Sequence, residues 1–268
     1  MAKAVEISQI AEDLLQLQQT FSLSQLDSVF LDTPRRKVFR LENVVLKFGL
    51  DVKPVEAETL RYLAQATKIP LPRLYRDHVH ADGTAVIAME YVEGRILSDV
   101  WPSLCPDVKT NLCGQLRDIL EDLRRHRSHV IGGIHGNPAV DTRKLVLTGG
   151  PFPTERQFNE FLRSDMISAA PKIYRSMLED AMDEKHDIFL AHGDIRPQNI
   201  VVDHGRRKIV AILDWECSGW YPEYWDFVKF FNALDPSLDW FDYVEKIFPE
   251  TYPRQYLTDS FLGRYLRH

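Results

Sequence analysis

The stretch Leu190-Ala-His-Gly-Asp-Ile-Arg-Pro-Gln-Asn-Ile-Val-Val202, followed by Ala211-Ile-Leu-Asp-Trp-Glu216, decides how this chain is read. Asp194 and Asn199 stand five residues apart. Ile200–Val202 and Ile209–Leu213 read as paired strands, with Asp203-His204-Gly205 as turn residues between them. Pairing folds the chain back on itself and brings Asp214 beside Asn199, although the two are fifteen residues apart in sequence. Asp194, Asn199 and Asp214 then form one oxygen-rich cluster. Mg²⁺ favours such donors, usually one or two carboxylates completed by phosphates and water. A carboxylate left off the metal can accept a proton from an attacking hydroxyl.

On the N-terminal side the pattern changes period. Residues 4–19 carry Val5, Ile7, Ile10, Leu14, Leu15 and Leu17 as the apolar face of an amphipathic helix. Short β-like runs follow at Ser28–Leu31, Lys37–Leu41 and Val44–Phe48, the last two joined by Glu42-Asn43. A helix is expected over Val55–Ala66, ended by Ile69-Pro-Leu-Pro. A second β pair, Leu74–His78 and Ala85–Tyr91, flanks the turn Ala81-Asp82-Gly83. Beyond residue 94 the chain reads as mainly helical. Val108, Leu112, Leu116, Ile119, Leu120 and Leu123 recur at helical spacing, 131–153 is a Gly- and Pro-rich loop, 155–185 is helical around Pro171, and 223–268 is helical and aromatic-rich. A sheet with one crossing helix, then helices, predicts an α+β, two-lobed molecule: a β-rich N-terminal lobe over 1–90 and a larger helical lobe over 91–268.

His192-Gly-Asp-Ile-Arg-Pro-Gln-Asn199 followed by Ile212-Leu-Asp-Trp-Glu216 resembles the catalytic and metal-binding motifs of aminoglycoside phosphotransferase-like and choline-kinase-like enzymes, which share the protein-kinase-like fold. The resemblance extends over about residues 28–232. It implies a catalytic base at Asp194 and metal ligands at Asn199 and Asp214. Glu216 belongs to the Asp-Trp-Glu variant of the motif, without an assigned role. Protein kinases place His-Arg-Asp and Asp-Phe-Gly at these positions. His-Gly-Asp here, and the absence of Ala-Pro-Glu after Asp214, point to the small-molecule branch.

The same resemblance implies a nucleotide site in the N-terminal lobe. Lys47 lies in the apolar strand Val44-Val-Leu-Lys-Phe48, where an ammonium can hold phosphates as a point charge. Glu56, on one helix face with Leu60 and Leu63, is its expected partner, while Glu58 lies about 200° round the helix and points elsewhere. Read without the motif, Lys47 and Glu56 are equally an edge-strand and a solvated side chain. Val86-Ile-Ala-Met-Glu-Tyr-Val-Glu-Gly94 resembles the family's hinge, with Met89 lining the base pocket and the main chain of Glu90 and Val92 binding it. One segment departs from the pattern: Leu31-Asp-Thr-Pro-Arg-Arg-Lys37, where a phosphate-covering loop belongs, holds no glycine. Thr33, Arg35 and Arg36 are its candidate contacts, and an exposed basic turn is the preferred reading. Asp226, in Pro222-Glu-Tyr-Trp-Asp-Phe227, is expected to brace the catalytic loop.

Composition bounds the rest. With 268 residues, 44% of them hydrophobic, the chain can bury a sizeable core. A net charge of −6 argues against nucleic-acid binding. Three cysteines without a CxxC pair fit a reducing compartment. No apolar run reaches membrane-spanning length and the N-terminus is polar, so a cytoplasmic protein without membrane contact is expected. The implied activity is Mg²⁺-dependent transfer of the γ-phosphoryl group of ATP, or GTP, to a hydroxyl of a small molecule, with the acceptor a cationic aminoglycoside or amino alcohol if acidic residues in 178–187 or 235–245 face it. The alternative is a catalytically inactive nucleotide-binding pseudokinase acting through a protein partner.

Overall fold

The computed structural model describes residues 28–142, 148–164, 170–231 and 239–266. The helix expected at 4–19 lies outside them, as do parts of the 131–153, 155–185 and 223–268 segments. Five strands form the first sheet: β1 (Ser28–Asp32), β2 (Lys37–Leu41), β3 (Val44–Gly49), β4 (Leu74–Val79) and β5 (Ala85–Glu90). Their spatial order is β1-β2-β3-β5-β4, all antiparallel. The turn at Glu42-Asn43 places Glu42 at φ 51, a left-handed conformation that polar turn residues tolerate.

Alternation along β3 gives the sheet two distinct faces. Val44 and Leu46 pack with Val86 and Ala88 of β5 in a small outer cluster. Lys47 points the other way. It pairs in register with Ile87, whose side chain lies in the main core with Ala57, Leu60 and Leu63. Those three residues belong to helix α1 (Val55–Ala66), which therefore covers the face that carries Lys47.

The chain leaves β5 through Glu90–Gly94 and enters the larger part. Its central helix, α2 (Pro106–Leu123), buries Leu112, Leu116, Ile119, Leu120 and Leu123 of the periodic set read from the sequence, while Val108 is only partly buried against the core. Two small sheets frame the motif residues. In one, β6 (Arg95–Ile96) joins the hairpin of β9 (Ile200–Val202) and β10 (Ile209–Ile212). In the other, β7 (Arg127–Ser128), β8 (Ile188–Ala191) and β11 (Gly219–Pro222) lie in the order β11-β8-β7. The 131–153 segment also carries a short ladder, Ala139–Val140 with Thr148–Gly149. Helices α3 (Glu155–Arg163), α4 (Lys172–Ala181), α5 (Trp225–Phe230) and α6 (Pro253–Leu266) complete the layer. Pro171 caps α4 rather than kinking a longer helix. Trp225, Phe227 and Phe230 are buried in the main core, with Phe231 packed against it. Among the described residues no helix is long and apolar enough to cross a membrane.

Candidate active site

The motif loops are positioned by the strands on either side of them. β8 leads into His192–Asn199, the β9–β10 hairpin follows, and β11 carries the chain away from Asp214–Ser218. Because β8 and β11 are paired, Leu190 opposite Trp220 and Ala191 opposite Gly219, both loops emerge side by side. Hairpin pairing of Ile200 with Ile212 is extended by a bond from the Leu213 amide to the Asn199 carbonyl at 2.8 Å, which sets Asp214 beside Asn199. Asp214 itself adopts a left-handed conformation, φ 65 and ψ 58.

The turn at Asp194 is fixed from behind. The carboxylate of Asp226 accepts the amides of His192 at 3.2 Å and Gly193 at 2.7 Å, the bracing role expected of it. Burial raises the Asp226 carboxyl to about 6, against the pull of these two amides. The His192 ring contacts Trp215 and bonds the Leu213 carbonyl through Nε2 at 3.0 Å, while its Nδ1 accepts the Asp194 amide at 3.1 Å. Burial lowers the imidazole to about 4, so this histidine is a neutral structural brace. Gly193, at φ +80, lies against the Cys217 carbonyl, with no room for a Cβ.

Asp194 accepts Asn199 Nδ2 at 2.9 Å through Oδ2 and through its own carbonyl. Its Oδ2 also meets Arg196 Nη2 at 2.8 Å, a partner the sequence reading passed over although it lies two positions away. Burial raises the Asp194 carboxyl to about 6, opposed by Arg196 and Asn199. A carboxyl near 6 suits proton transfer close to neutral pH.

Lys47 is buried, and its Nζ lies 2.7 and 2.9 Å from the two oxygens of Glu56 and 2.7 Å from Asp214 Oδ1. Burial alone would lower the ammonium's pKa, but Glu56 and Asp214 outweigh it and hold it raised. Burial likewise pushes Asp214 up, and Lys47 with Arg36 overrides that to hold it at about 2. Glu58 does point elsewhere: it accepts Asn137 Nδ2 at 2.5 Å.

The turn between β1 and β2 departs from its expected character. Arg35 is exposed and pairs with Asp51. Arg36 is not an exposed basic side chain: only 20% of its side chain is accessible. Its Nη1 reaches both oxygens of Glu216 at 2.9 Å and its Nη2 reaches Asp214 Oδ1 at 3.2 Å. The partners lie 178 and 180 positions away, out of reach of local sequence patterns.

Arg36, Lys47, Met89, Glu90, Val92, Asn199 and Asp214 all line one cavity of about 440 Å³ between the sheet and the β9–β10 hairpin. Glu56, Asp214 and Glu216 offer carboxylate oxygens within 4.8 Å of one another. With the Asn199 amide beside Asp214, this hard oxygen donor set fits Mg²⁺.

A β-rich lobe with a Lys–Glu pair, joined to a helical lobe that presents paired aspartates, defines a protein-kinase-like phosphotransferase. The chain belongs to the phosphotransferase enzyme family (APH), whose model matches residues 27–260. Solved structures share the fold. Aminoglycoside 2'-phosphotransferase-IIIa in its GDP complex superposes with a TM-score of 0.62 at 14% identity, covering 97% of this chain and 88% of that one. Aminoglycoside-3'-phosphotransferase of type VIII gives 0.60 at 16%, covering 96% and 98%. Among curated proteins, acyl-CoA dehydrogenase family member 11 of Homo sapiens is 28% identical over 153 residues, 56% of this chain and 19% of that protein. Probable acyl-CoA dehydrogenase IBR3 of Arabidopsis thaliana is 26% identical over 181 residues, 61% and 20%. The chain thus spans about a fifth of the length of the curated relatives it matches.

Proposed function

We propose that this chain transfers the γ-phosphoryl group of ATP or GTP to a hydroxyl of a small molecule. The observation that carries the reading is the continuous polar chain Glu56–Lys47–Asp214 ending on the same cavity as Asn199, which in turn holds Asp194. Sequence-distant groups converge there with every partner in place, which favours an enzyme over an inactive nucleotide-binding relative.

The base lies against Met89, with the main chain of Glu90 and Val92 as its hydrogen-bonding edge. Lys47, fixed by Glu56, contacts the α- and β-phosphates. Asn199 and Asp214 would hold Mg²⁺, which when bound would neutralise phosphate charge. Asp194 accepts the proton of the acceptor hydroxyl and orients its oxygen for in-line attack. Arg196, on the same carboxylate, offsets negative charge there. The lobes divide at Glu90–Gly94.

Two acceptor classes follow. Hydroxylated amines fit the solved neighbours, which are aminoglycoside phosphotransferases. Hydroxyacyl thioesters of coenzyme A fit the acyl-CoA dehydrogenase names of the curated relatives. The decisive experiment is calorimetric titration with ATP and GTP, with and without Mg²⁺, on wild type and Asp214→Ala, followed by a turnover screen of both classes. Mg²⁺-dependent binding lost in Asp214→Ala supports the site. Absence of nucleotide binding under every condition rejects it.

A further inference from the structure

We propose that Arg36 is a phosphate-binding residue, and that the β1–β2 turn does through this one guanidinium what a glycine-rich loop does through backbone amides. The inference rests on the phosphotransfer reading above and adds to it a residue outside the motifs.

Four observations carry it. First, Arg36 lines the same cavity as Lys47, Asn199 and Asp214, and reaches Asp214 from the sheet lobe. Second, its backbone is held, so the side chain is aimed. Thr33 Oγ1 donates to the Arg36 carbonyl at 2.9 Å and accepts its amide at 3.0 Å. Gly49, at φ +138, lies directly against the Arg35 carbonyl, where a Cβ would stand 2.1 Å away. Third, among the described residues the Nε of Arg36 is buried without a hydrogen-bond partner, although both terminal nitrogens are engaged. A buried donor left over is costly unless another acceptor takes it.

Fourth, the charges are arranged for exchange. Three carboxylates, Glu56, Asp214 and Glu216, face two cations, Lys47 and Arg36. Lys47 is committed to Glu56, which is almost fully buried. Arg36 is bound to the carboxylates that a divalent ion would also claim. A carboxylate and a phosphate present the same pair of oxygens to a guanidinium fork. When metal-nucleotide enters, Arg36 gives up Asp214 and Glu216 and takes phosphate oxygens in their place, Nε included.

This exchange has opposite consequences for two ligands, which a merely structural role would not produce. Calorimetric titrations with Mn²⁺ alone and with Mn²⁺·ATP, on wild type, Arg36→Ala and Arg36→Lys, read it directly. In Arg36→Ala the competing cation is gone, so Mn²⁺ alone binds several-fold more tightly. The phosphate contact is also gone, so Mn²⁺·ATP binds about ten- to a hundredfold more weakly. Arg36→Lys keeps the charge without the fork and falls between; it carries the comparison alone if Arg36→Ala does not fold. Unchanged Mn²⁺·ATP affinity in the variants, with wild type binding normally, overturns the inference and leaves the phosphotransfer reading intact. Weaker binding of both ligands marks Arg36 as structural and also overturns it. If wild type takes up no Mn²⁺·ATP, the phosphotransfer reading falls and this inference falls with it.

Discussion

Asp194 shows how one environment sets both chemistry and stability. Burial lifts its carboxyl to about 6, above the ordinary 3.8, even with Arg196 and Asn199 drawing it down. A general base must be ionised, and kcat/KM reports the free enzyme. The kcat/KM profile should therefore fall on the acid side with a midpoint near pH 6, and a limb centred near pH 4 would exclude this assignment. The stability consequence has the opposite sign. Because the folded value lies above the unfolded one, ionisation costs the folded state above about pH 6, and the cost vanishes below about 3.8. Asp194→Asn removes that cost. We expect its Tm to exceed wild type at pH 8 and to match it at pH 4, while turnover drops by about 10²- to 10⁴-fold. Thermal melts at the two pH values, beside a turnover assay, check both halves.

At the scale of elements, the helix that carries Glu56 is tied to the other lobe by two adjacent residues at the end of its first turn. Glu58 holds Asn137, and Ser218 donates to Thr59 at 3.2 Å. Asn137 Nδ2 also donates to the Ile134 carbonyl at 2.7 Å. Glu58→Ala should therefore cost about 0.5–1.5 kcal/mol and Asn137→Ala more, with the double variant no worse than Asn137→Ala alone because that change already removes the shared bond. Additive losses in urea denaturation would show that the two side chains act separately. The turn that carries Asp194 is a second such device. Gly193→Ala places a Cβ 2.5 Å from the Cys217 carbonyl at a positive φ, and should cost about 1–3 kcal/mol together with a large loss of turnover. An alanine variant with wild-type melting and turnover would mean the loop relaxes freely.

These elements also show what a sequence can carry. β2, β3, β5 and α1 were legible because alternation and 3.6-residue spacing are local, and the β9–β10 hairpin because its turn residues sit between two apolar runs. Those elements place Lys47, Glu56, Asn199 and Asp214. Four-residue β8 and two-residue β7 were not legible, since Ile188–Ala191 is too short to show a period and its partners lie far along the chain. Arg36 was misjudged as exposed, and the partner of Glu58 was not named, for the same reason. Each charge looks solvated until a residue 79 to 180 positions away is folded against it.

The whole molecule is joined through its site. Lys47–Asp214, Arg36–Asp214 and Arg36–Glu216 all run from the sheet lobe to the helical lobe, so the groups proposed to hold nucleotide also tie the lobes together. Such a join is stable only while its charges balance. Lys47→Met leaves Glu56, 1% exposed, beside Asp214 and Glu216 with Arg36 as the remaining nearby cation. An uncompensated buried carboxylate of this kind should cost about 3–5 kcal/mol. Replacing the partner as well removes the orphaned charge, so Lys47→Met/Glu56→Leu should recover most of that loss in denaturant unfolding. Nucleotide binding should be abolished in both, because the point charge proposed to hold the phosphates is absent from each. If the double variant is as unstable as the single, the cost arises at Asp214 and the lobe junction rather than at Glu56. If it binds nucleotide like wild type, Lys47 is a structural cation and the proposed phosphate contact is wrong.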